Sequence, residues 1–267
     1  MFETATEGSG DENNGGSMPT MGFLGHLEEL RRRLVYSIAA VAVGFFACWW
    51  RVERIYDIMQ RPIMNALKAN GMSEKLVYLN PTEPFNLYLK IAALAGLFLT
   101  SPFVLYQVWM FISPGLYRNE KRYVVPFMVS TIALFAGGGY FGYKVVYPQA
   151  LGFLIHFGRQ FQPMITIGEY TSLFLSIVLG MGLIFEMPIL IFFLSLMGIV
   201  SAAFMWKNFR YAILLIFIIA AIVTPTPDIL NMCIFAAPMV ALYVFSIGIA
   251  WFVHPTRRRA RQEKKAT

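Results

Sequence analysis

Residues 103–122, FVLYQVWMFISPGLYRNEKR, close one long apolar run and open the next. Between the runs lie a short turn, Ser113-Pro114-Gly115, and a polar knot, Arg118-Asn119-Glu120-Lys121-Arg122; apolar sequence resumes at Tyr123. Two runs of membrane-crossing length joined by so short a connection read as a hairpin of transmembrane helices. One carboxylate set among three cations at the mouth of that hairpin is a candidate recognition surface.

The rest of the composition agrees with lipid as the solvent. Of 267 residues, 57% are hydrophobic and only 14% are charged, against roughly 25% charged in a soluble globular chain. Too little polar surface is available to face water on all sides. The net charge of +7 does not point to nucleic acid, because the basic residues sit in short clusters beside apolar runs, where they orient membrane spans. Cys48 and Cys233 have no CxxC spacing and read as free, buried thiols.

Taken in order, residues 1–19 are Gly-, Ser-, Asn- and acid-rich and read as a disordered tail. Residues 20–33 read as a short amphipathic helix with Phe23, Leu27, Leu30 and Leu34 on one face, and His26, Glu29 and Arg33 on the other sides. Six spans follow, at about 34–50, 85–111, 123–147, 170–197, 209–223 and 229–253. The connection 51–84 balances both signs of charge. Within it Ile55, Ile58, Met59, Ile63 and Leu67 predict a short helix lying on the membrane surface. Ser101-Pro102 predicts a kink in the second span, and Gly137, Gly138, Gly139 and Gly142 predict close helix contact in the third. Residues 148–168 read as a second connection and 198–208 as a short turn. The fifth span has about 15 residues, or ~22 Å of helix, too short for an ordinary bilayer. The basic segment 254–267 reads as a disordered tail.

Arg31, Arg32, Arg33, Arg118, Lys121, Arg122, Lys207, Arg210 and the basic residues of 254–267 all fall on one side of such a six-span chain. The positive-inside rule makes that side cytoplasmic, with both termini there.

Four features are candidates for chemistry. Glu29 either meets a ligand guanidinium or pairs with Arg32 or Arg33 on its own helix. Glu120 is either a second such carboxylate or neutralised by Arg118, Lys121 and Arg122. Together the two suit a pair of arginines, since a guanidinium takes a carboxylate bidentately and an ammonium does not. Glu186, in GLIFEMPIL, lies far from either end of its span. A charge at that depth costs ~2.5–3.5 kcal/mol, which marks a functional residue, a protonated and merely tolerated one, or a partner for a Ser or Thr on another helix. Asp228, after Thr226-Pro227, is a sound N-cap for the sixth span. No HExxH, GxSxG, P-loop, GxGxxG or metal-spaced Cys/His set occurs. No enzymatic activity, cofactor or metal is expected.

HLEELRRRL at 26–34, SPFVLYQVWMFISPGLYRNEKR at 101–122, FEMP at 185–188 and TPTPD at 224–228 occur in an order and spacing that resemble the TatC family, the multi-spanning core of the twin-arginine (Tat) protein translocase. The resemblance covers about residues 22–252. It implies an all-α polytopic fold, six transmembrane helices in a concave, glove-like bundle, in the bacterial inner membrane. It implies that Glu29 and Glu120 bind the twin-arginine signal peptides of folded precursors, and that Phe111 and the neighbouring turn, with Arg118 and Arg122, belong to the same surface. It implies that Glu186 lines an intramembrane polar groove and that Pro62 and Asp228 matter for transport. The implied partners are single-span Tat subunits of the TatA and TatB type, in a multimeric complex driven by the proton-motive force without ATP. One departure is Met232, preceded by Asn231, where some members carry Gln. The rival readings are a proton-coupled small-solute transporter or channel, for which Glu186, Lys90 and Lys144 are the best features, and a structural scaffold without cargo. No internal repeat of the transporter kind is evident.

Overall fold

A helix in lipid satisfies its own backbone and turns its apolar side chains outward, so polar and small residues collect where helices touch. A computed structural model describes residues 23–69, 71, 76–112, 124–158, 160–161, 164–196, 198–223 and 229–266. Its helices are α1 (Phe23–Trp49), α2 (Val52–Ala69), α3 (Glu83–Ile112), α4 (Val124–Phe141), α5 (Tyr147–Phe157), α6 (Ile167–Ile184), α7 (Met187–Leu196), α8 (Ala202–Lys207), α9 (Phe209–Val223) and α10 (Ile229–Ala266), with a π-helical turn at Gly142–Val146. Among the described residues, five helical stretches are long and apolar enough to cross a membrane: Leu27–Trp49, Glu83–Phe111, Val125–Phe157, Ile167–Ser195 and Met232–Trp251. Phe209–Ile222 is a shorter apolar helix. The chain is an all-α polytopic membrane protein.

The start of α1 shows which of its faces is buried. Leu27, Leu30 and Leu34 are 45%, 42% and 55% exposed, whereas Glu29 is only 9% exposed. The leucine stripe looks outward and the carboxylate looks inward, as expected where the outer solvent is apolar.

Two glycine seams draw the helices together. Where α1 packs on α3, a Cβ on Gly96 would lie 2.6 Å from the Phe45 amide nitrogen, and one on Gly44 would lie 2.7 Å from the Gly96 carbonyl oxygen. Where α4 packs on α6, a Cβ on Gly138 would lie 2.6 Å from the Met181 carbonyl oxygen. Gly139 leaves room for the Phe98 ring, and Gly142 faces Ile177 and Met181. Gly137, grouped with these by sequence, has open space around it.

The third apolar run does not end where sequence suggests. The π turn follows α4, with the Tyr147 N–H donating to the Gly142 carbonyl, and α5 then continues through Pro148 to Phe157. Pro148 stands in the first turn of α5, where a missing N–H is tolerated. Residues 148–157, read from sequence as connection, are therefore helix.

At the end of the molecule opposite Glu29, α2 lays Val52, Met59, Ile63 and Leu67 into the core. The Tyr143 hydroxyl donates to the Ile58 carbonyl at 2.7 Å, and the Tyr170 hydroxyl donates to the Met59 carbonyl at 2.8 Å. The two connections at this end pair directly: the Val77 N–H donates to the Ile165 carbonyl at 3.0 Å and the Ile167 N–H to the Val77 carbonyl at 2.9 Å. Thr166 then caps α6 by accepting from the Glu169 N–H.

The fourth apolar run is interrupted. Helix α6 stops at Ile184, Phe185 and Glu186 form a turn, and α7 restarts at Met187. Helix α8 occupies most of the predicted turn at 198–208, and the Tyr243 hydroxyl of α10 donates to its Met205 carbonyl at 3.1 Å. Helix α10 continues to Ala266, through the segment read from sequence as a disordered tail. Cys48 is buried, but Cys233 is exposed, which corrects the reading of both thiols as buried.

Candidate recognition site

The stripe of α1 that faces α3 carries Glu29, Arg33, Ser37, Gly44 and Cys48, at the steps of four and seven that keep residues on one helical face. Gly44 meets Gly96. Eleven residues along each antiparallel helix from that contact, Arg33 meets Gln107. The glycine seam therefore sets the register that brings the polar group together. Arg33 donates from Nη1 to Gln107 Oε1 at 3.0 Å and from Nη2 to Glu29 Oε1 at 3.1 Å. Gln107 is buried, and Arg33 is 17% exposed. Glu29 Oε2 and Arg33 Nε are buried and have no hydrogen-bond partner among the described residues.

An ionised carboxylate offers about four acceptor positions, and Glu29 uses few of them. A buried polar atom without a partner is costly. One guanidinium already sits on Oε1, so the site is shaped for cationic N–H donors and keeps acceptor capacity at Oε2. Among the described residues, no group of three or more His, Cys, Asp or Glu side chains is placed to hold a metal ion.

One turn beyond Gln107 on α3, Phe111 is half-buried. Between them Trp109 donates from Nε1 to Thr131 Oγ1 at 3.1 Å and packs its ring 4.3 Å from that of Phe193. Ile189, Phe127, Phe192, Met128 and Leu134 complete this cluster. It fixes the end of α3 against the start of α4 and against α7, so both arms of the hairpin that carries residues 113–123 are anchored. Glu120, Arg118, Arg122 and Asp228 lie outside the described residues, as does the side chain of His26.

Glu186 is in the break between α6 and α7. Its Oε1 is buried without a partner among the described residues. The preceding Phe185 packs against Gly138 and, at 5.5 Å between ring centroids, against Phe141. Pro62 is half-buried within α2, at the end of the molecule away from Glu29.

Sequence reading finds Glu29 and its i+4 partner Arg33, but it misses Gln107 and the Trp109–Thr131 bond. The available signal is the polar stripe Glu29–Arg33–Ser37 in phase with Gly44. The more regular leucine repeat on the other side of the helix hides it.

The family model described as "Sec-independent protein translocase protein (TatC)" matches residues 25–238. The Sec-independent protein translocase protein TatC of Koribacter versatilis (strain Ellin345) is 67% identical over 243 residues, covering 91% of this chain and 90% of that protein. The TatC of Desulforapulum autotrophicum is 40% identical, over 84% of this chain and 82% of that protein. A crystal structure of the twin arginine translocase receptor TatC superposes with a TM-score of 0.76 at 34% identity, covering 84% of this chain and 97% of that one. A second, in DDM, gives 0.77 at 35% identity, with 84% and 99% covered. With the family model matching residues 25–238, a relative 67% identical over nine-tenths of both chains and the fold shared, this chain belongs to the TatC family of Sec-independent protein translocase components.

Proposed function

We propose that this chain is the receptor core of a twin-arginine translocase. It sits in a bacterial inner membrane with both termini cytoplasmic and binds twin-arginine signal peptides of folded precursors. The observation that carries the reading is the inward-facing Glu29, whose Oε2 has no partner among the described residues, at the end of the bundle where α3 and α4 converge. Glu29 takes one signal arginine and Glu120 the other, with Phe111, Arg118 and Arg122 on the same surface. The apolar part of the signal then lies along the bundle, where Glu186 supplies a polar feature at the α6–α7 break. Single-span subunits of the TatA and TatB type join to form a multimeric complex, and the proton-motive force drives transport. The chain catalyses no reaction of its own. Pro62, at the opposite end of the bundle, and Asp228 act during transport.

Binding of a twin-arginine signal peptide to the purified protein in nanodiscs tests this reading, with a twin-lysine peptide and the Glu29→Ala, Glu120→Ala double variant as controls. Binding lost in both controls supports the receptor. Equal binding in all three means that the apolar segment alone holds the peptide, and the site fails.

A further inference from the structure

We infer that Arg33 occupies the place of a signal guanidinium on Glu29, held there by Gln107, and that a signal arginine must displace it from Oε1 to bind bidentately. The inference rests on the receptor reading above and adds two residues that set its selectivity. The geometry is a fork: one Arg33 nitrogen is on Glu29 Oε1 at 3.1 Å and the other on Gln107 Oε1 at 3.0 Å. Only Oε2 of the carboxylate is left without a partner among the described residues.

While Arg33 stays on Oε1, an incoming cation reaches Oε2 alone. A single charged N–H suffices there, and an ammonium provides one as well as a guanidinium does. Preference for arginine arises when the guest takes both oxygens, which requires Arg33 to leave Oε1. Arg33 is suited to yield. Its pairing with Glu29 is the local i,i+4 kind, and Gln107 still accepts from Nη1 after the exchange. Gln107 is a neutral acceptor, so it positions Arg33 without competing with Glu29 for the signal. Gln107 is thus a positioning residue, and Arg33 an internal competitor that sets a threshold for weakly cationic or single-arginine segments.

The test measures affinities of the full-length protein in nanodiscs for twin-arginine and twin-lysine signal peptides. The variants are Arg33→Gln, Gln107→Leu and Glu29→Gln, each checked for monodispersity and thermal unfolding. With the competitor gone, Arg33→Gln is expected to bind the twin-arginine peptide about tenfold more tightly. The twin-lysine peptide gains less, so the arginine-to-lysine ratio widens. Gln107→Leu moves both readouts in the same direction by a smaller factor, which loss of structure alone does not do. Should Arg33→Gln not fold, Gln107→Leu decides. Unchanged or weaker twin-arginine binding in Arg33→Gln and Gln107→Leu, with Glu29→Gln weakening the wild-type interaction, overturns the displacement proposal and leaves the receptor standing. Wild-type affinity retained in Glu29→Gln removes both.

Discussion

The carbonyl of Ile58 that receives the Tyr143 hydroxyl at 2.7 Å is the one that Pro62, four residues on, leaves without a helical donor. Proline has no N–H to return to residue i−4, and the side chain from the π turn takes that role. The same solution appears on α3. Pro102 frees the Phe98 carbonyl, and the Ser101 hydroxyl donates to it at 2.8 Å. Two prolines inside helices are thus tolerated because hydroxyl groups are placed at the carbonyls they free.

Removing the first hydroxyl isolates its contribution. Tyr143→Phe leaves the Ile58 carbonyl unpaired and is expected to lower stability by about 1 kcal/mol, read as a fall of about 2–4 °C in the melting temperature. Pro62→Ala restores a backbone donor, so the loss should shrink in that background. Strict additivity of the two substitutions in thermal unfolding would show that the carbonyl is not shared between them.

The α1–α3 seam predicts a sharp contrast between glycines. Gly96→Ala forces a methyl group against the α1 backbone and should cost about 1–3 kcal/mol. Gly137→Ala adds a methyl group in open space and should be neutral or stabilise by up to about 1 kcal/mol. Thermal unfolding of the two variants in one detergent gives the comparison, and equal melting temperatures would contradict the seam.

Glu186→Ala separates binding from later steps. The residue lies in the α6–α7 break, away from the Glu29–Arg33–Gln107 group on α1 and α3. Signal-peptide affinity should stay within about twofold of wild type, a change under 1 kcal/mol. Crosslinking to the single-span subunits and transport should fall. Unaltered crosslinks and transport would remove Glu186 from the mechanism.

The two thiols should react differently. Cys233 is exposed and Cys48, near the end of α1, is buried. A small membrane-permeant maleimide should label Cys233 well before Cys48 in the folded protein, with both labelled after denaturation. Mass spectrometry of Cys48→Ser and Cys233→Ser variants assigns the order.

The apolar runs were legible because apolar length is a one-dimensional property. Among the described residues five are long enough to cross a membrane, and 209–223, expected as the fifth span, is the shorter apolar helix α9. Interruptions were less legible. Pro148 read as a stop, although the π turn before it places it in a first helical turn. Phe185-Glu186 read as helix interior, although Pro188 two residues later removes a donor that α6 would need to continue. Glu29 and Arg33 stood out by residue type, but Gln107, which accepts from Arg33, is 74 positions away from it. Only the tertiary register of Gly44 on Gly96 brings the two together. Pattern along one helix identified the charged member of the site and could not supply the neutral one.

The pairing of Val77 with Ile165 and Ile167 also bears on how the chain is assembled during synthesis. Its two hydrogen bonds join segments separated by nearly 90 residues, with two complete apolar runs between them. Until residue 167 has been made, the main-chain groups of Val77 have only water to bond. Closing so long a loop is entropically slow, and it requires that both intervening runs have already crossed the bilayer. A run left uncrossed would leave residues 77 and 167 on opposite faces of the bilayer, and the pairing would never form. These two bonds therefore report complete insertion: they can close only in a chain in which both intervening runs have crossed.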